Sequence, residues 1–182
     1  MFFNLSDTRL SSSVYTSSPP LDEFTGSIQN TVSSGGLPAR LIISKIGVNI
    51  PIEHVGLTKE GAMGVPKNFI HTAWFELGPH PGDVGSAVID GHFGFIKKEP
   101  GAFNDLHHLR KGDMLSVQDE QGMTISFVVR ESRIYQQDED VPEVFESSDG
   151  KAHLNLITCQ GIWNESKKSY PERLVVFTDM VP

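Results

Sequence analysis

From residue 37 to the end, the chain consists of short β-prone segments separated by Gly, Pro and Asp turn signals. This pattern leaves no room for long helices, and helical periodicity is limited to two turns, near residues 57–61 and 103–109. Several short strands in succession favour a sandwich or a closed barrel, because closure removes exposed strand edges. We therefore expect one mostly-β domain over residues 37–182. The expected strands are residues 40–43, 48–52, 86–90, 114–118, 124–134, 153–158 and 173–178.

Residues 1–36 have a different composition from the rest of the chain. Thirteen of them are Ser or Thr, and Pro19 and Pro20 lie in the middle of the segment. A segment with so few apolar groups cannot offset its chain entropy by burying surface. We expect a flexible N-terminal arm or linker in front of the folded domain.

Charge and cysteine content exclude several classes of protein. The net charge is −8 and no basic stripe is present, so we expect no nucleic-acid partner. No apolar run approaches the roughly 20 residues that a membrane-spanning helix needs. Cys159 is the only cysteine, which excludes a disulfide within the chain and a zinc site built from cysteines.

Cys159 directly follows the expected strand 153–158 and precedes a polar loop, residues 160–172. The alternation of a strand places Cys159 on the same face as Ile157 and on the opposite face from Thr158. A single cysteine is either a small buried hydrophobic residue or a reactive thiol. Its position at a strand end, next to a long loop, favours a thiol that substrates can reach.

Two further strand ends carry residues that suit a thiol. Arg173 opens the strand after the loop, and antiparallel pairing of the two strands would bring its guanidinium to the same edge as Cys159. An Arg is always charged and has several donors, which suits a developing oxyanion. Among the seven histidines, His92 follows the strand 86–90, next to Gly91. The alternatives are a surface Arg and a structural His.

Three separated segments resemble the signature motifs of sortases, the cysteine transpeptidases of bacterial cell surfaces. They are Asp90-Gly91-His92, Leu156-Ile157-Thr158-Cys159 and Tyr170-Pro171-Glu172-Arg173-Leu174-Val175-Val176, and supporting matches run in the family's order over residues 39–181.

The resemblance implies a closed eight-stranded β-barrel with short helical turns. It also implies that His92, Cys159 and Arg173 are catalytic, and that Thr158, before the nucleophile, belongs to the substrate or oxyanion site. Asp90 replaces the more usual small residue of the family, and Gln160-Gly161 follow the cysteine. Neither departure changes a catalytic atom.

The activity implied by the resemblance is cleavage of a C-terminal sorting signal of the Leu-Pro-any-Thr-Gly kind through a thioacyl-enzyme intermediate. The implied partners are surface proteins or pilins that bear the signal, and an amine acceptor from a cell-wall precursor or a pilin lysine. The implied location is the extracellular face of the bacterial membrane, with a membrane tether that is absent from this chain.

No cofactor is expected. Residues 136–150 are acidic, and some sortases bind calcium in this region. The consecutive carboxylates of Asp138, Glu139 and Asp140 lack the spaced ligands of a calcium loop. We expect a solvated loop there and no metal ion.

Two other functions stay open on the sequence alone. A hydrolytic cysteine peptidase needs the same thiol and imidazole, although the papain-like order of Cys before His is reversed here. A non-enzymatic β-rich surface module would keep Cys159 buried and unreactive until the protein is denatured.

The N-terminal arm contains Asp22 and Phe24. Pilin-assembling sortases often carry a lid in which an Asp and an aromatic residue lie over the catalytic Arg and Cys. By resemblance, Asp22 could pair with Arg173 while Phe24 covers Cys159, which would block the groove until the arm moves. The alternative is a plain linker.

Overall fold

The computed structural model describes residues 36–182, which contain ten strands and three short 3-10 turns. The 3-10 turns are Ser44–Ile46, Leu106–His108 and Pro142–Val144. The strands are β1 Pro38–Ile43, β2 Val48–Val55, β3 Thr72–Phe75, β4 Gly85–Gly91, β5 Phe95–Ile96, β6 Glu99–Pro100, β7 Met114–Asp119, β8 Thr124–Gln136, β9 Ala152–Gln160 and β10 Glu172–Met180.

Eight of these strands close into a barrel in the order β1-β2-β3-β4-β9-β10-β8-β7, and β5 and β6 form a separate two-stranded sheet. The pairs β2–β3 and β4–β9 are parallel, whereas the other barrel pairs are antiparallel. The closed eight-stranded barrel with few helical residues confirms the expected fold class.

The sequence predicts seven of the ten strands and not β3, β5 or β6, and the expectation of a helical turn at residues 57–61 is wrong. Strand β3 was missed, because Thr72–Phe75 is only four residues long and buried on both faces, so it lacks the alternation that marks a half-buried strand. Residues 57–61 form no helical turn. Leu57 instead makes an antiparallel bridge to Met63 across a tight turn.

Strand β9 has every residue from Ala152 to Thr158 buried, because the sheet is covered on both sides. Leu154 and Leu156 point into the barrel, where they join the main core cluster. Ile157 points outwards into a second cluster, which Val141 and Val144 cover. The two faces of β9 are therefore those that its alternation predicts.

The arm expected over residues 1–36 lies almost entirely outside the described residues, and Asp22 and Phe24 are among those outside. The division into an arm and a domain at residue 37 stays a prediction. Within residues 36–182, no helix has the length and apolar character needed to cross a membrane.

Candidate active site

Cys159 and Arg173 lie directly opposite each other in the antiparallel ladder of β9 and β10. Cys159 is a free thiol, partly buried, at the second-to-last position of its strand. The Arg173 side chain is almost completely buried, and its Nη1 donates to the carbonyl oxygens of Tyr170 at 3.0 Å and Glu172 at 2.8 Å. The pairing that the sequence suggested is thus present, and it fixes a guanidinium beside the thiol.

His92 follows β4 directly and is held on two sides. Its Nε2 lies 2.9 Å from the carbonyl oxygen of Pro66, and its ring stacks on Phe69 with centroids 5.1 Å apart and planes 19° from parallel. A carbonyl oxygen can only accept, so Nε2 carries the hydrogen of the neutral ring. Nδ1 is consequently the nitrogen that can take up a proton.

The main chain of His92 is fixed as well. The N–H of Phe103 donates to the carbonyl oxygen of His92 at 2.9 Å. Gly101 packs so closely that a Cβ there would overlap the same carbonyl oxygen. A glycine is needed at this position because two stretches of backbone approach each other.

Thr158 faces away from the thiol, into the barrel, with an exposure of only 1%. Its hydroxyl donates to the carbonyl oxygen of Gly91 at 2.7 Å. The side chain thus joins the strand of Cys159 to the residue before His92. Its expected contribution to the substrate or oxyanion site stays a prediction.

His92, Cys159 and Arg173 line one groove with a volume of about 670 Å³. Although they are far apart in sequence, the barrel brings all three to the same cavity. The remaining lining residues are mostly aromatic or aliphatic, with two lysines and no carboxylate: Val65, Lys67, Phe69, Phe93, Phe95, Ile96, Trp163, Lys168, Ser169 and Tyr170.

Several apolar side chains at this groove are exposed. Phe95 is 66% and Trp163 43% exposed, and Ile96 also lies mainly in solvent. Exposed apolar surface concentrated in one place marks a binding site more often than a random surface does. Within residues 36–182, no group of three or more His, Cys, Asp or Glu side chains is arranged to hold a metal ion.

Tyr170 lines the groove, although the sequence predicts no role for it. Its ring packs edge-on against Phe93 and Trp163, with centroids 5.3 and 5.2 Å away. Burial raises the pKa of Tyr170, and so does the charge of a Cys159 thiolate, because both side chains line the same groove. Tyr170 stands in the third signature segment, but only the tertiary structure reveals this proximity.

The surroundings of the Cys159 thiol change its pKa in opposite directions. Burial raises the pKa of Cys159, the positive charge of Arg173 lowers it, and a negative charge on Asp90 raises it. Asp90 departs from the family pattern, and from the sequence alone this departure changes no catalytic atom. The structure brings it into electrostatic contact with both Cys159 and Arg173.

Comparisons with solved structures find the same fold. Sortase C-1 from Actinomyces oris matches with a TM-score of 0.62 and 24% identity, over 79% of this chain and 73% of that one. Sortase C1 from Streptococcus agalactiae matches with a TM-score of 0.62 and 23% identity, over 79% and 67%. Sortase A from Corynebacterium diphtheriae matches with a TM-score of 0.61 and 22% identity, over 81% and 62%.

In sequence, the family model for the sortase domain matches residues 41–181, whereas no curated protein matches the chain. Neither comparison favours a hydrolytic peptidase of another family or a non-enzymatic module. Because the matched region spans most of the chain and the barrel is that of solved sortases, the chain belongs to the sortase family and is a cysteine transpeptidase.

Proposed function

We propose that Cys159 is the nucleophile, His92 the general acid and base, and Arg173 the oxyanion-stabilising residue of this transpeptidase. The proposed substrate is a C-terminal sorting signal of the Leu-Pro-any-Thr-Gly kind. The observation that carries the proposal is that these three residues, from three separate segments, line one groove. A thiol, an imidazole and a fixed cation are the groups that acyl transfer by cysteine requires.

In the first half of the reaction, the Cys159 thiol gives its proton to Nδ1 of His92. The sulfur then attacks the carbonyl carbon of the signal threonine. The bond between that carbon and the following amide nitrogen breaks, and the leaving amine takes the proton from Nδ1. The product is a thioacyl-enzyme, and Nδ1 fits this role because Nε2–H is held by Pro66.

In the second half, an acceptor amine attacks the thioacyl carbon and gives a proton to Nδ1. The carbon–sulfur bond breaks, and the sulfur of Cys159 regains its proton from His92. The peptide is thereby joined to the acceptor, with no net change in the enzyme.

The proposed role of Arg173 is to stabilise the negative charge on the carbonyl oxygen in both steps. Its guanidinium is fixed by the two carbonyl oxygens of Tyr170 and Glu172, so little rearrangement is needed when the charge develops. Preorganised donors in a partly buried site stabilise an oxyanion more than mobile ones do.

The groove supports a short extended peptide as the substrate. Its walls offer apolar rings for the Leu and Pro side chains, with Trp163 and Phe95 exposed at its rim. The sortase family acts at the cell surface on surface proteins and pilins. For this chain we propose the same donors, an amine of the cell wall or of a pilin as acceptor, and attachment to the extracellular face of the membrane.

The test is incubation of the protein with sorting-signal peptides, with and without a primary amine, followed by mass spectrometry. The wild type should give the cleaved peptide and the amine-joined product. Cys159→Ala and His92→Ala should give neither product, while their thermal unfolding stays close to wild type.

The matched control is His108→Ala, because that histidine side chain is 57% exposed and does not line the groove. It should keep wild-type turnover. A Cys159→Ala protein that retained about a tenth of the wild-type rate would rule out Cys159 as the nucleophile, since removing a nucleophile costs far more.

A further inference from the structure

Asp90, on β4, is a carboxyl residue with no exposure to solvent. It pairs with Ile157 of β9 across the parallel ladder and points to the outer face of the barrel, as Cys159 and Arg173 do. Neither carboxyl oxygen has a hydrogen-bond partner among residues 36–182. The N–H of Gly91 is near enough to lower the pKa of Asp90, but it lies outside hydrogen-bond geometry.

A buried carboxyl without hydrogen bonds is unusual in a native protein. Buried polar side chains that support a fold are normally hydrogen-bonded, because burying them unpaired costs free energy. A role in the reaction is the alternative that its neighbours favour.

Two strands of the barrel, the residue after β4 and the loops around the groove carry the ionisable groups near Asp90. On β3, Ala73 lies opposite Asp90, and that strand has no ionisable side chain. On β9 the neighbour is Cys159, and on β10 it is Arg173. On the groove side lie Lys67 and His92, the latter two residues after Asp90, together with Lys168 and Tyr170.

We propose that Asp90 is a positioning residue that controls the charge available at the nucleophile. When Asp90 is neutral, the positive charge of Arg173 stabilises the thiolate of Cys159 and the oxyanion. In its ionised form, Asp90 pairs with Arg173 and repels the thiolate. The catalytic significance of this charge rests on the proposed function. Its effect on the pKa of Cys159 can be measured independently of that function.

Burial raises the pKa of Asp90 to about 8, with Arg173 acting in the opposite direction. Near neutral pH the carboxyl is therefore mainly protonated, and it ionises on the alkaline side. Because a charge on Asp90 also raises the pKa of Cys159, the two groups compete for the same cation. Loss of a proton from one makes loss of the second proton harder, so the pair titrates over a wide range of pH.

The experiment is alkylation of Cys159 by iodoacetamide between about pH 6 and about pH 10, which spans the ordinary thiol range. Cys159 is the only cysteine, so the reaction rate reports its thiolate fraction directly. The wild-type profile should be broad or two-step. Asp90→Asn should give a single narrow step at lower pH, with alkylation at least about threefold faster near pH 8.

Asp90→Ala is the second variant, because it removes the ionisable group without leaving a buried amide. It should give the same narrow profile as Asp90→Asn. The control is Asp113→Asn, since Asp113 pairs with Lys45 at the surface and should leave the profile unchanged.

A narrow single-step profile in the wild type, or profiles of both Asp90 variants that superimpose on it, would overturn the inference. The wild-type profile tests the inference even if neither Asp90 variant folds. A failure of the proposed function has a different signature: no peptide is cleaved by the wild type, whatever the titration of Cys159.

Discussion

The hydroxyl of Thr158 donates a hydrogen bond of 2.7 Å to the carbonyl oxygen of Gly91. These two residues come immediately before Cys159 and His92, so one buried bond joins the segments that carry the proposed nucleophile and the proposed base. Both groups lie in the interior of the sheet, where water cannot replace a lost partner. The bond therefore maintains the relative position of the thiol-bearing strand and the imidazole-bearing turn.

Replacing Thr158 with Val should remove this bond while keeping the shape of the side chain. The buried carbonyl oxygen would lose a partner, which costs about 1–3 kcal/mol of unfolding free energy. We also expect turnover to fall about tenfold or more, because small displacements of catalytic groups reduce rates strongly. Denaturant unfolding and peptide transpeptidation measure the two effects.

Thr158→Ser is the matched control, because serine retains the hydroxyl donor and loses only a methyl group. It should restore most of the turnover. Equal activity in the Val and Ser variants would show that the bond does not position the site.

Arg173→Lys should reduce turnover by about 10²-fold or more, by analogy with the removal of an oxyanion donor. Lysine keeps the positive charge but lacks the planar set of guanidinium donors, of which Nη1 alone donates to two carbonyl oxygens here. The loss should appear mainly in kcat, measured with a saturating peptide. Arg130→Lys, at an exposed position of β8, should behave as wild type. A fully active Arg173→Lys enzyme would remove Arg173 from the mechanism.

Gly101→Ala should lower activity although Gly101 is not a proposed catalytic residue. The added methyl group would meet the carbonyl oxygen of His92 and push the His92 turn away from its position. We expect turnover to decrease about tenfold or more, since the imidazole would leave its site beside Pro66 and Phe69. Gly56→Ala is the control, because its Cβ would meet only the Glu76 side chain at 3.4 Å. The same rate in both variants would contradict this prediction.

The stability of the protein should depend on pH through Asp90. Its pKa is raised from an ordinary value of 3.8 to about 8 by burial, so the folded state binds this proton more tightly than the unfolded state. The stabilisation is complete below about pH 3.8, declines as the pH rises, and is lost above about pH 8. Asp90→Asn should show a smaller decline across this window.

Denaturant unfolding of the wild type and of Asp90→Asn at a series of pH values measures this difference. Comparing the two proteins cancels the contributions of the other ionisable groups. Parallel stability curves between about pH 4 and about pH 8 would mean that Asp90 titrates as an ordinary carboxyl group.

The sequence by itself determined most of the strands, because turn signals and alternation are local properties. It also selected Cys159, Arg173 and His92, since each stands at a strand end in a signature segment, and the pairing of Cys159 with Arg173 needed only a loop between two adjacent strands. The catalytic roles of these residues stay predictions until they are tested.

Only the tertiary structure decided which distant groups surround that pair. The parallel pairing of β4 with β9 brings Asp90 and His92 to Cys159, although more than sixty residues separate them in the sequence. Pro66 and Phe69 hold the imidazole for the same reason, from a segment with no signal of its own. These contacts form only when strands that are distant in sequence pair in the closed barrel, and no local sequence pattern encodes such pairings.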